Sequence, residues 1–151
     1  MHKLGSLRTH LLNAPLRLQE ENLLTFVDKG KVTSYPGGSN QHFELHYQAH
    51  IIISEYTGAA DKIMFLILQW MDQNNLTWSN EAFNFGADIL DHEKVDIEIS
   101  IDLTETIKVE QAEEGIYLHH CTEPSIEPVL IPATDWTLFI NDEEAANWVE
   151  E

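Results

Sequence analysis

The chain predicts an α+β domain, an antiparallel or mixed sheet of about five strands with two helices packed on it. Three observations carry that expectation. Residues 42–53 alternate strictly, with Phe43, Leu45, Tyr47, Ala49, Ile51 and Ile53 on one face and His42, Glu44, His46, Gln48 and His50 on the other, which is the period of a strand. The run 63–68 and Trp70-Met71, led in by Asp61-Lys62 and led out by residues 72–75, reads as about three turns of helix, buried nearly all round against a sheet. The longest strand signal is Val95, Ile97, Ile99, Ile101 and Leu103, alternating with Asp96, Glu98, Ser100, Asp102 and Thr104, so that one face is core and the other acidic.

The remaining elements follow in order. Leu4, Leu7, Leu11 and Leu12 lie at helical spacing, and Pro15 stops the pattern, which predicts an amphipathic helix over about residues 3–13. Residues 23–27 read as a strand, 28–31 as a turn or bulge for which Gly30 supplies a positive φ, and 32–34 as its continuation. The segment 36–40 is a loop, and the strand from His42 to Ser54 is the antiparallel partner of the first. Residues 55–58 break the chain before the apolar helix. Trp78 and Phe83 plug the edge of the core, Phe85, Ala87 and Ile89 open a third strand, and residues 106–109 extend the acidic-faced one. A turn over 111–115 leads to a short last strand, 116–121. Residues 1–121 thus form one domain. In residues 122–151, Pro124, Pro128 and Pro132 recur every fourth residue, which favours an extended arm; Trp136 belongs to an apolar patch, and Trp148 lies near the end of an acidic tail.

The 151 residues suit a single domain with a proper core, and 43% hydrophobic with 23% charged content is that of a soluble globular chain. Cys121 is the only cysteine, so no intramolecular disulfide forms and a reducing compartment suits the protein. The N-terminus lacks the apolar stretch of a signal peptide, and the run 63–68 is too short to span a bilayer; a cytoplasmic protein with no membrane partner is expected.

The formal net charge of −18 is lopsided. Residues 1–75 hold six basic and seven acidic side chains, whereas residues 76–151 hold only Lys94 and Lys108 against 19 acids. Such a field repels phosphate backbones, so direct nucleic-acid binding is not expected and a basic protein surface is the natural complement.

No reactive constellation emerges. His42, His46 and His50 share a strand face, but residues four apart in a strand are separated by roughly 13 Å, too far for one ion to bridge. His119 and Cys121 share a strand face as a pair of soft ligands, and two ligands are not a site. Asp96 and Glu98 are an acid pair on a solvated face. No phosphate-binding glycine loop or nucleophile elbow is present. Catalytic residues, cofactor and metal are therefore not expected; the alternative is a small ligand- or metal-binding protein or enzyme built on the His-rich strands.

The order of segments resembles a known family. Leu7-Arg8 in an N-terminal helix, the stretch 23–32, Phe43-Glu44-Leu45-His46-Tyr47, the stretch 51–58, and Leu66-Ile67-Leu68-Gln69-Trp70-Met71 are similar to the phage tail completion protein R (GpR) family of contractile-tailed phages and prophages. The stretches 85–90 and 95–99 are similar to its second half, so the resemblance covers about residues 4–110. It implies a structural protein that finishes the head-proximal end of the tail tube so that a filled head can join. It implies a fold like that of tail terminators, self-association into a ring, usually of six copies in similar terminators, and contacts to tail tube and head-connector proteins. It places the protein in the bacterial host cytoplasm during assembly and then in the virion tail. It brings no catalytic residues. From charge and exposure, the expected interface residues are Lys29, Lys31, Asp96, Glu98, Asp102, Trp136 and Trp148.

Overall fold

A computed structural model describes residues 1–34, 41–78, 80–124, 135–140 and 143–149. Helix α1 (His2–Asn13) leads through a short 3-10 turn at Glu20–Asn22 into strand β1 (Leu23–Ser34) and then β2 (Phe43–Tyr56). Helix α2 (Ala60–Gln73) follows, then β3 (Asn84–Ile89), β4 (Val95–Ala112) and β5 (Gly115–His120). The five strands form one sheet in the order β1-β2-β4-β3, with β5 also on β4, and every pairing is antiparallel, which settles the antiparallel-or-mixed alternative. Because Ile107 pairs with Phe43 of β2 and with His120 of β5, β5 lies on the same side of β4 as β3.

One face of this sheet is covered by both helices. Leu4, Leu7 and Leu11 of α1 and Ile63, Ile67, Trp70 and Met71 of α2 pack against Ala49, Ile51 and Ile53 of β2 and Ile97, Ile99, Ile101 and Leu103 of β4. These are the inward positions that the alternation assigned to the core. Hydrogen bonds tie the helices to each other and to the sheet: Trp70 Nε1 donates to Ser6 Oγ at 3.1 Å, and the Arg8 guanidinium donates to the Leu23 carbonyl.

Three expectations need correction. Helix α2 is not buried all round, since Phe65 and Leu68 face solvent; a sheet covers one side of a helix, and α1 reaches only one flank. The irregularity in β1 falls at Asp28, where the register slips between Val27 and Lys29, while Gly30 pairs with Tyr47 and has no positive φ. Phe83 packs against the core as expected, but Trp78 is exposed. Within residues 122–151, two strands are described, β6 (Asp135–Ile140) and β7 (Glu143–Val149), an antiparallel pair that places Trp136 opposite Trp148. The proline-spaced stretch 125–134 and the loop 36–40 lie outside the described residues.

The breaks between elements have local causes. Asn75 takes a left-handed conformation (φ 52°) just past α2, the Leu76 amide bonds to the Met71 carbonyl, and the Asn75 amide bonds to the Asp72 carbonyl, which together close the helix in a Schellman motif. Glu55 (φ 52°) marks a second slip, between Ile53 and Tyr56, that ends the regular pairing of β2. Gly58 then passes so close to the buried Tyr56 that a Cβ there would collide with the phenol ring. Gly58→Ala is therefore expected to destabilise the fold by about 1–3 kcal/mol through overpacking. Urea unfolding checks this; the expected result is a lower midpoint at unchanged slope, and an unaltered midpoint would contradict the packing at Tyr56.

Candidate interaction surfaces

The sheet face turned away from the helices carries the charge. In register across it, Lys29 of β1 stands beside Gln48 of β2, which stands beside Asp102 of β4; Lys31 stands beside His46, and His46 beside Thr104. Glu98 and Asp96 continue the β4 row on the same face, and Asp88 of β3 pairs with Asp96. The bulge at Asp28 sustains this arrangement, because without the extra residue Lys29 and Lys31 would fall on the helix side. The structure thus brings together five of the seven expected residues. Lys29, Lys31, Glu98 and Asp102 are exposed, whereas Asp96 is half-buried and accepts a 2.7 Å bond from the Glu55 amide. Trp136 and Trp148 belong to a separate two-stranded sheet, the β6–β7 pair.

The strand histidines occupy the middle of this face and are engaged by neighbours. His46 lies 3.2 Å from the Glu44 carboxylate and 3.2 Å from Thr104 Oγ1. His50 stacks on Phe26 with ring centroids 5.1 Å apart; its Nε2 is 3.3 Å from Gln48 Oε1, and its Nδ1, 3.5 Å from Glu98, makes no aligned hydrogen bond. His119, on β5, is 3.0 Å from Glu110 rather than pointing to a shared ligand with Cys121, which lies past the end of the strand. Among the described residues, no three His, Cys, Asp or Glu side chains converge as a metal site would need. A cavity of about 530 Å³ opens beside β3, bordered by Asn75, Phe83, Ser100, Asp102, Thr104 and Glu123.

A buried polar cluster on the helix side was not foreseen. Glu105 occupies an inward position of β4, in phase with Leu103 and Ile107, and is only 3% exposed. Its carboxylate accepts bonds from the backbone amides of His2 (3.0 Å) and Lys3 (2.9 Å) at the start of α1 and from the Tyr47 hydroxyl, and it lies 3.0 Å from His120 Nδ1. Helix α1 has no capping side chain of its own, so a residue about a hundred positions away supplies the anion that its unpaired amides and dipole require. The cluster extends through Lys3, whose Nζ donates to the Thr104 carbonyl and to Glu123, each at 2.6 Å. The sequence signal was a single acid in the apolar phase of β4.

Burial alone would raise the Glu105 pKa, but the bonds from Tyr47 and from the Lys3 and His2 amides outweigh it and hold the carboxyl below its ordinary value. The same contact acts oppositely on Tyr47, whose hydroxyl is pushed well above its ordinary range by burial and by donation to Glu105.

Exposed apolar side chains concentrate at the two edges of the sheet. Leu24, Phe26 and Val32 stand on β1; Phe85 and Ile89 on β3; Ile116, Tyr117 and Leu118 on β5. Phe85 and Ile89 pair with Ile99 and Val95, so they continue the helix-side face beyond the point that the helices cover. No described helix is long and apolar enough to cross a membrane.

Comparison with known proteins gives concordant matches. Residues 1–124 match the family model described as P2 phage tail completion protein R (GpR). The chain is 32% identical over 159 residues to tail completion protein R of Escherichia phage P2, an alignment spanning 99% of this chain and all of that relative. No solved structure matches.

The capping carboxylate makes a pH prediction. A depressed folded pKa means that Glu105 adds stability above the unfolded carboxylate value of about 4.3, and that this share is lost as pH falls through the lower folded value. Glu105→Ala is expected to cost roughly 2–4 kcal/mol at pH 7, since it leaves buried donors unpaired. Glu105→Gln, which keeps the shape, is expected to flatten the acid limb. Urea unfolding from pH 7 to pH 3 reads both, and identical acid limbs for Glu105→Gln and the wild type would refute the assignment.

Proposed function

Because the chain belongs to the P2 phage tail completion protein R family, we propose that it acts as a structural phage protein that caps the head-proximal end of the tail tube and enables the head to join. The observation that carries this reading is the family match over residues 1–124 together with a near full-length relative of the same name. It works by self-association and protein contacts rather than by covalent chemistry. The geometry favours that mode: its exposed side chains offer charge and apolar edges, while the buried Glu105 is engaged with a helix start and a tyrosine.

In this reading the body, residues 1–121, forms a ring, of six copies by analogy with similar terminators, and Asp96, Glu98 and Asp102 face its channel. Like charges there give passing DNA no resting place. Residues 122–151, with Trp136 and Trp148, form an arm that reaches the tail tube or head-connector protein, where large aromatic anchors are most effective. Lys29 and Lys31 meet acidic side chains of a neighbouring copy. The protein assembles in the bacterial host cytoplasm and ends in the virion tail.

In a phage lysate lacking this protein, full heads and tails without a completed head-proximal end are expected to accumulate separately. Purified wild type should restore joining in electron micrographs and plaque formation; failure to restore joining overturns the function. The triple variant Asp96→Asn, Glu98→Gln, Asp102→Asn should still join heads to tails but lower the plaque yield about tenfold or more, because a neutral lining no longer repels DNA. An unchanged yield would remove these acids from the channel.

A further inference from the structure

Four strands form the main path of the sheet, and each runs antiparallel to its neighbour. With an even number of alternating strands, the edge strands β1 and β3 run in opposite directions. Lys31 of β1 lies level with Thr104 of β4, whereas Asp88 of β3 lies level with Asp96, so a second copy turned about an axis inclined to the strands, and displaced along them by about eight residues or roughly 26 Å, brings these two positions together while keeping the sense of its strands. Its β1 therefore arrives antiparallel to the β3 of the first copy, ready to continue the sheet. Neither outer side has a strand partner among the described residues.

The side chains of the two edges complement each other on both faces. On the charged face, Lys29 and Lys31 of β1 are exposed and form no ion pair among the described residues, whereas Lys3, Arg8 and Lys94 are paired at 2.6, 3.4 and 3.3 Å. On the same face β3 presents Asp88, exposed and opposite Asp96, with Asp91 and Glu93 in the turn that follows. On the helix side, Val32 of β1 is 64% exposed, and Phe85 and Ile89 of β3 are 63% and 82% exposed. Edge lysines ordinarily guard a sheet against indiscriminate pairing. Here the guard admits one kind of edge, with acids on the outer face and apolar side chains on the inner.

We infer that β1 of one copy pairs antiparallel with β3 of the next, setting Lys29 and Lys31 against Asp88 and Val32 against Phe85 and Ile89. The interface is heterologous, so repeating it closes a ring or extends a filament. A closed ring would carry one continuous sheet, with the helices on one surface and the acidic face on the other. The inference rests on the self-association in the tail completion reading and identifies the surfaces that perform it.

Disulfide trapping tests the pairing, with Cys121→Ser removing the native thiol. Lys31→Cys and Asp88→Cys are made as separate chains and as a double variant, with Lys29→Cys covering a register shifted by two residues. Each is oxidised free in solution and on purified tails. Lys31→Cys or Lys29→Cys mixed with Asp88→Cys should give cross-linked dimers, neither lysine variant should cross-link to itself, and the double variant should give a ladder ending in one largest species. Self-linking of Lys31→Cys would show a two-fold β1–β1 contact and overturn the inference. So would the absence of mixed cross-links in both settings. Wild-type protein from the same preparation is assayed for head–tail joining: joining without cross-links refutes only this interface, whereas loss of joining refutes the tail completion reading.

Discussion

The inward phase of β4 is the constraint on which the rest of the structure depends. This 18-residue strand bonds to β2, β3 and β5, so a slip of one residue would turn every core isoleucine outward and every acid inward. The phase holds from Ile97 to Ile107 and admits one polar residue, Glu105, at the place where α1 begins. The buried carboxylate converts a break in apolar patterning into an anchor: it neutralises the start of α1, takes the Tyr47 hydroxyl and brings His120 of β5 alongside. Burying a charge is costly unless its lone pairs are filled, and here several donors fill them.

The same strand organises the outer surface. Its other face holds Asp96, Glu98 and Asp102 in line, and pairing through β2 sets the histidines between them and the lysines of β1. Much of the charge is therefore not scattered but graded across one face, from basic at one edge to acidic towards the other. Such a gradient gives a molecule two unlike sides, the property that a head-to-tail ring requires of its subunits.

The sequence made the large elements legible because each was periodic. Both long strands alternate, and α1 has its leucine stripe, so the α+β class, the antiparallel pairing of β1 with β2 and the inward set of Ala49, Ile51, Ile53 and Ile97 to Leu103 followed directly. What failed depended on tertiary position. A helix as apolar as α2 looked buried all round, yet a sheet covers only one side of it and leaves Phe65 exposed. Gly30 drew the bulge to itself, whereas it is Asp28 that is left over when lysines and valine are kept on their proper faces. Glu105 was invisible as a cap because nothing local links it to residues 2 and 3. Among the surface residues, the acids of β4 and the lysines of β1 were legible as exposed charge, but their common face required the register. The strands β6 and β7 were hidden by the prolines before them and the acids within them.

The most direct test of this account is an averaged electron cryomicroscopy reconstruction of the head-proximal end of tails assembled with the protein. The account predicts a ring on the tube with β4 nearest the channel, Asp96, Glu98 and Asp102 facing the lumen, and α1 and α2 on the outside. A tail end carrying no such ring, or a ring with the helices lining the lumen and the acidic face turned outward, would contradict it.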